Sequence, residues 1–437
     1  MFLQSLLSQG LANEGPIRVG VIGAGQFGSM FLSQVPTSPG ITVSAIADLD
    51  PGRARAACST AGWVQDQIDA VDFNDDGIAL CGRDDVDVVL EITGNPRAGV
   101  QHARAAFSAG KPVIMVNVEA DVLLGPLLCD EANSAGVVYS MAYGDQPASA
   151  CELIDWARSC GFEVVAAGKG TKYLPNYHTS TPDTVWQHYG IDAEHARAAG
   201  MNPQMFNSFL DGTKSGIEMA AIANATNLMP SPDGLEFPPG GSKDLATLLR
   251  PKAEDGTLHH KGQVEVVSSL NRDGTPVTND LRWGVYVVLE APNAYTAECF
   301  SHYGLITDAS GRYAAMYKPF HLIGLELNVS ILSAVLRHEP TGATAAFNAH
   351  VVATAKRDLK HGERLDGEGG YTAWGKLTTA EKSVTSAALP IGLADRAKLV
   401  RDIKANQVLH WDDVQFDIED DIVISRKALR ASPSQQS

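Results

Sequence analysis

Residues 16–30 read PIRVGVIGAGQFGSM. An apolar run, IRVGVI, stops at three glycines spaced G-x-G-x-x-G, Gly23, Gly25 and Gly28, and the residues from Gln26 onward suit a helix. Gly23 permits a tight turn, Gly25 lets backbone approach a pyrophosphate, and Gly28 allows close helix packing. Gln26 and Phe27 open the helix, whose free amides attract an anion. Such a spacing also arises by chance. Here a second apolar run, ITVSAIAD, places Asp48 20 residues beyond Gly28, where a carboxylate can hold adenosine ribose hydroxyls. The pattern predicts a dinucleotide cradle. Asp48 favours NAD over NADP, because a 2′-phosphate would meet its charge. NADP stays open, since Arg53 and Arg55 either reach toward such a phosphate or stand in solvent on a helix.

Beyond this stretch, VDVVLEITG, KPVIMVNV and GVVYSMA continue the strand signals, with Ala-rich helical stretches between them. Repeated β-α units force parallel strands with crossover helices, so residues 16–150 are expected to form a Rossmann doubly wound parallel sheet. Thr93 and Gly94, in EITGNP, leave the third strong strand on the ligand side and are expected to line the cofactor. Asn117 and Glu119, in VNVEAD, end the next strand on the same edge. They are nicotinamide-side candidates, Glu119 being equally a surface carboxylate at a helix start.

Residues 151–343 read as a second, α+β catalytic and dimerisation domain. FEVVAAGKG, WGVYVVLEA and YAAMYKP suggest strands, QMFNSFLDGTKSGIEMAAIANATNL one long helix, HLIGLELNVSILSAVL another, and TKYLPNYHTSTPDTVWQHYG a loop. In the last hundred residues, KRDLKHGERL (356–365) and VRDIKANQVL (400–409) form a weak internal repeat, which predicts a small β-rich module with pseudo-symmetric halves over 344–430. Residues 1–15 read as an amphipathic arm packing on the body or on a partner, and 431–437 as a disordered tail.

Composition narrows the function. Of 437 residues, 44% are hydrophobic and 19% charged, as in globular enzymes, and the net charge of −17 with scattered cations argues against nucleic acid or an anionic membrane surface. The six cysteines show no C-x-x-C pair and read as reduced thiols. The N-terminus makes a poor signal peptide and no apolar run reaches membrane-spanning length, so a cytoplasmic protein acting on a small molecule is expected.

Oxidising an alcohol or reducing a carbonyl needs a proton carrier and donors that hold the oxygen. Lys169 is the first candidate: it ends an apolar strand between Gly168 and Gly170, where a lysine adds nothing to a core. Lys318 and His321, in YKPFHL, are candidates to assist. Lys172 and Lys214, with Lys318, could give a substrate phosphate or carboxylate its positive pocket. Glu218 and Asn224 are polar within an Ala/Ile/Met helix, so each must be paired or face a cavity. Asp145, before Gln146-Pro147, is either a helix cap or a nicotinamide-side acid. Asp145, Glu218 and His321 lack any metal-site spacing, so no metal is assigned. The reading is an NAD(P)-dependent oxidoreductase of a small polar hydroxy or carbonyl compound; the competing class is a non-catalytic NAD sensor.

PIRVGVIGAGQFG, MVNVEADVLLGP, GDQPASACELIDWARSCGFEVVAAGKG, DGTKSGIEMAAIANATNL, KPFHLIGLEL and LPIGL together resemble the 1-deoxy-D-xylulose 5-phosphate reductoisomerase-like oxidoreductases, which join a homoserine-dehydrogenase-like core to a C-terminal SAF domain. The resemblance implies a homodimer, an SAF-type β-clip over 344–430, and isoprenoid-precursor chemistry on a sugar phosphate as an alternative activity. Homoserine dehydrogenases carry lysine where Val118 follows Asn117, a departure that argues against homoserine as substrate.

Overall fold

The computed structural model describes residues 3–13, 15–198 and 200–431. They form two compact units: Met1–Glu152 with His321–Ala345, and Leu153–Phe320 with Ala346–Ser437.

The first unit is a six-stranded sheet, β1 (Ile17–Ile22), β2 (Ile41–Ala47), β3 (Asp72–Asn74), β4 (Val88–Glu91), β5 (Val113–Met115) and β6 (Tyr139–Met141), ordered β3-β2-β1-β4-β5-β6. Every pairing is parallel, and the order is that of a Rossmann sheet, as expected. β1 and β4 are almost wholly apolar because crossover helices cover both faces. The crossovers start where the sequence supplies caps: Asp50 and Asn95 accept the first helical amides and each is followed by proline. The helix Val118–Ala135 bends at Leu124, just before Pro126, which cannot donate to the ladder. The arm helix Leu3–Asn13 packs on the body, burying Leu3 and Leu7 in this unit's own core.

One boundary differs from expectation. The sequence predicts a catalytic domain over 151–343, yet 321–345 returns to the first unit. Leu327, Ile331 and Ala334 are buried with Val19, Phe31 and Leu32, and Met141 N–H donates to Gly342 O at 2.7 Å beside β6. The helix of this segment covers Asn328–Leu336 alone, after turns with Gly324 in the left-handed region at φ 74°.

The second unit holds β7 (Glu163–Thr171), β8 (Met229–Pro230), β9 (Gln263–Ser268), β10 (Val285–Glu290), β11 (Ile306–Thr307) and β12 (Tyr313–Lys318), ordered β11-β12-β10-β7-β9-β8. β7, β8 and β9 are parallel neighbours; β10, β11 and β12 run antiparallel. The single long helix expected over 204–228 is two, Pro203–Leu210 and Thr213–Thr226. Gly212 breaks it at φ 91°, and Asp211 turns back to accept Thr213 N–H at 2.8 Å. The loop expected over 171–190 contains a 3-10 turn, Pro175–Thr179, and a helix, Val185–Tyr189.

Residues 346–431 add β13 (Ala349–Ala355) paired with β14 (Ala373–Thr379), and β15 (Ala397–Leu399) paired with β16 (Val414–Phe416). They belong to the same unit as the mixed sheet β7–β12. The two repeat segments meet: Leu359 and Ile403 exchange backbone hydrogen bonds at 2.8 and 3.0 Å. Lys360 reaches Asp402 at 2.9 Å while Lys404 reaches Asp358 at 2.8 Å. Gly362 and Asn406, at equivalent places, both take positive φ, 83° and 65°. The halves are thus related by a local pseudo-twofold. The tail 432–437 lies outside the described residues.

Candidate active site

In the first unit, the loop after β1 has the geometry of an anion cradle. Gly23 turns at φ 101°, and its N–H reaches Ala47 O at 2.8 Å, tying the loop to β2. A Cβ on Gly28 would lie 2.5 Å from Gly23 O, so this close approach requires glycine. A Cβ on Gly25 would meet nothing within 4 Å; it faces open space. Gly25 caps the helix Gln26–Gln34 with no side-chain acceptor, and the first helical bond there is Ser29 N–H to Gly25 O. The amides of Gln26, Phe27 and Gly28 are therefore left to a ligand. Asp48 follows β2 and is buried. Burial pushes its carboxyl up, but the Ala24 and Asp50 amides and the Arg53 guanidinium together hold it below the usual range. This donor set fits a pyrophosphate with an adjacent ribose.

Across the same sheet edge, Glu91, at the end of β4, is fully buried and accepts Thr93 Oγ1–H at 2.5 Å. The Thr93 oxygen then accepts from Asn95 N–H at 3.3 Å. Gly94 takes φ 67° in the turn. Asn117 caps the helix Val118–Ala135 and donates to Asn95 O at 2.8 Å, so it holds the loop and the helix together rather than ending a strand. Glu119 stands in that helix's first turn. The Asp145 carboxylate accepts Gln146 N–H at 2.8 Å where the helix Gln146–Ser159 begins. His321 lies in this unit, half-buried in the returning segment.

The second unit brings two sequence candidates into contact. Lys169, near the end of β7, forms an ion pair with Glu218 of the helix Thr213–Thr226, and both side chains are buried. The flanking glycines are demanded by backbone: a Cβ on Gly168 would sit 1.9 Å from Glu265 O, and on Gly170 2.0 Å from Leu281 O. Register sets Lys169, Val285 and Lys318 side by side across β7, β10 and β12. Lys318 therefore shares a sheet face with Lys169, two strand spacings away, about 10 Å. Lys172 follows the strand. Its ammonium donates to His188 O and sits 5.6 Å from the Tyr189 ring. Burial and then the charge of Arg282 push its pKa down. Lys214 is half-buried in the first turn of Thr213–Thr226.

Asn224 is a correction. Its side chain accepts Asn348 and Ala349 N–H at 2.9 and 2.8 Å and donates to Ala349 O at 3.2 Å, so it anchors β13 and has no carbonyl oxygen to offer a substrate.

Three features escape sequence reading. Arg282 lies 4.7 Å from the Trp283 ring and 5.9 Å from the Tyr189 ring, beside Lys172. Asp280 accepts its backbone N–H at 2.9 Å but not its guanidinium; among the described residues neither Arg282 nor Lys172 has a carboxylate partner. Glu265, opposite Gly168 on β9, is buried; that burial raises its pKa to about 7 although the amides of Val266, Glu236 and Phe237 support its charge. Lys356 is buried and pairs with Asp211 at 2.8 Å while donating to Ser180 O and Gly370 O. Asp280 beside Arg282 is a turn acid with no period to mark it, and Glu265 sits in an alternation that reads as an ordinary strand. Among the described residues no group of three His, Cys, Asp or Glu converges on a metal position, and no helix is long and apolar enough to cross a membrane.

Residues 17–116 match the family described as oxidoreductase family, NAD-binding Rossmann fold, of the Gfo/Idh/MocA type, and residues 144–327 match the family described as oxidoreductase DRL, catalytic domain. The two matches cover separate stretches, each less than half of the chain, one to an NAD-binding oxidoreductase domain and one to an oxidoreductase catalytic domain. Neither match carries the name of homoserine dehydrogenase, a reductoisomerase or an SAF domain, and residues 328–437 lie outside both. An NAD-binding oxidoreductase from Klebsiella pneumoniae is similar at 21% identity and TM-score 0.29, over 38% of this chain and 47% of its own. A myo-inositol dehydrogenase from Lactobacillus casei, solved with NAD(H) and myo-inositol, gives 16% and 0.30 over 40% and 52%. A 3-ketoreductase from Actinomadura kijaniata, solved with NADP, gives 23% and 0.27 over 36% and 49%. The chain spans about half the length of each of these structures. No curated protein matches it.

Proposed function

We propose that this oxidoreductase interconverts a hydroxyl and a carbonyl on a small polar, phosphate-bearing substrate, with Lys169 as the proton carrier. The observation that carries the reading is the buried Lys169–Glu218 contact within the DRL catalytic match. A buried ion pair adds little stability over apolar side chains of the same size, so its place between two backbone-crowded glycines supports a chemical role. The bound nicotinamide supplies the hydride chemistry. Nζ of Lys169 holds the proton that the substrate oxygen gains or loses, and the Glu218 carboxylate fixes that Nζ in place. The half-buried Lys172 and Arg282, two cations with no carboxylate partner among the described residues, suit a phosphate monoester beyond the end of β7.

A second reading, reductoisomerisation of 1-deoxy-D-xylulose 5-phosphate, is supported by three of the resembling segments, 144–170, 211–228 and 318–327, which all fall inside the DRL match. The pseudo-twofold of 356–365 and 400–409 likewise supports reading the C-terminal module as an SAF-type β-clip. One experiment tests both readings: NADH absorbance is followed over a panel of phosphorylated and free hydroxy and keto compounds, with product skeletons identified. Turnover of phosphorylated compounds, with Arg282→Gln raising KM at constant kcat, is expected; a rearranged carbon skeleton selects the second reading. Turnover confined to unphosphorylated compounds refutes the phosphate assignment.

A further inference from the structure

Residues 346–431 lie outside both family matches, yet they grip the Glu218-bearing helix Thr213–Thr226 at both of its ends. Near its C-terminus, Asn224 takes the Asn348 and Ala349 amides where β13 begins. At its N-terminus, Gly375 N–H of β14 donates to Thr213 Oγ1 at 2.8 Å, and the Lys356 ammonium reaches the buried Asp211 carboxylate at 2.8 Å. A third tie at this end is indirect. Trp374 of β14 stacks on the His178 ring, with centroids 3.8 Å and planes 21° apart, and His178 Nδ1 stands 2.7 Å from Asp211 O. A carbonyl only accepts, so Nδ1 carries the proton; Nε2 is then left to accept the Tyr173 hydroxyl at 2.9 Å. Burial pushes the His178 pKa down, against the Asp211 bond that favours the charged form. The ring is thus neutral, with its tautomer fixed from both sides. A Cβ on Gly212 would lie 3.2 Å from His178 Cε1, so the imidazole closes on the left-handed turn, at φ 91°, from which the helix starts.

We propose that His178 is a positioning residue for the Lys169–Glu218 pair, and that Trp374 of the C-terminal module holds it in that role. The two members of the pair are anchored separately. Lys169 belongs to β7, whose backbone is fixed where Gly168 and Gly170 meet the carbonyls of Glu265 and Leu281. Glu218 belongs to the clamped helix, roughly 8 Å along the axis from Thr213, and the helix is unbroken over that span. A shift at Asp211 and Gly212 is therefore carried to the carboxylate that fixes Lys169 Nζ. A carboxylate that backs away from an ammonium favours the charged form less, so the amine holds its proton less tightly. The inference rests on the Lys169 reading of the proposed function, and the two can fail separately.

The test replaces His178 by its two partial isosteres in the full-length protein. Gln sets its amide where Nε2 stood and loses the bond to Asp211 O; Asn sets an N–H where Nδ1 stood and keeps it. On a substrate that the parent turns over, His178→Gln is expected to lower kcat at least about tenfold and to move its pH profile about one unit toward acid, with KM and NAD affinity changed less than about threefold. His178→Asn is expected to recover most of both. Trp374→Leu is expected to resemble His178→Gln, and Trp374→Phe, which keeps a stacking ring, to recover most of the loss. Thermal unfolding gives a readout that needs no substrate: the Tm losses of His178→Gln and Lys169→Met are expected to be less than additive in the double variant, since both act on one pair. A His178→Gln variant with the parent's pH profile, or with a Tm loss that adds fully to that of Lys169→Met, overturns the positioning role. Equal losses in the Asn and Gln variants overturn the route through Asp211. A Lys169→Met variant with full turnover overturns the Lys169 reading instead.

Discussion

Replacing Lys169 by Met separates stability from chemistry. Met preserves most of the side-chain length and removes the ammonium, which is the partner Glu218 has among the described residues. The Glu218 side chain is only 5% exposed, so water does not take over. Removing one member of a buried pair costs about 3–5 kcal/mol, because the remaining charge stays desolvated. For a unit of this size each kcal/mol moves the midpoint by roughly 2–4 °C, giving a loss on the order of 10 °C in Tm. The double variant Lys169→Met with Glu218→Leu leaves no orphan charge and is expected to regain most of that loss, yet to have no turnover. NAD binding is expected to be unchanged in both, since the cradle lies in the other unit. Thermal unfolding, nucleotide calorimetry and NADH absorbance on one active substrate give the three readouts. A single variant that melts with the parent and keeps full kcat refutes the reasoning, as does a double variant that turns over.

Two glycines of the cradle predict opposite phenotypes. Gly28→Ala is expected to distort the turn, since the new methyl would lie 2.5 Å from a carbonyl, and to lower both stability and NAD affinity; Gly25→Ala meets no protein atom within 4 Å and is expected to leave Tm unchanged while weakening NAD, by calorimetry. Glu265 predicts a pH dependence. Its folded pKa of about 7 stands above the ordinary 4.5, so the folded state keeps a proton that the unfolded chain releases. That contribution, roughly 3 kcal/mol, is full below about pH 4.5 and is lost as pH rises through 7. Denaturant titrations across this window are expected to show a smaller fall in stability for Glu265→Gln than for the parent; equal slopes contradict the burial argument.

What was legible in the sequence is what is local or periodic. The glycine spacing, the acid ending β2 and the strand-helix alternation act over short stretches, and they locate the cradle. The repeat at 356–365 and 400–409 was visible as a pattern, and the structure adds that its copies touch. Lys169 and Glu218 each stood out singly, one between glycines and one in an apolar helix, but they lie 49 positions apart and nothing in the chain between them announces their contact. Arg53 and Arg55 look alike in sequence and differ only in which acid each reaches. Asp211 and Lys356 come from different segments and meet through folding alone. The apolar helix near 330 was readable as a helix, whereas the core it would join was not, because an apolar stripe carries no address.

The return of 321–345 to the nucleotide-binding unit constrains how the protein can be made. During synthesis β1 through β6 emerge first, but the helix that seals their core becomes available only once residue 345 of 437 has left the ribosome. The catalytic sheet, encoded in between, has the chance to assemble before the half that precedes it is closed. A chain cut after residue 152 would uncover the faces of the helix Leu3–Asn13 and of β6 on which Asn328–Leu336 packs, so the nucleotide-binding half is not a portable module.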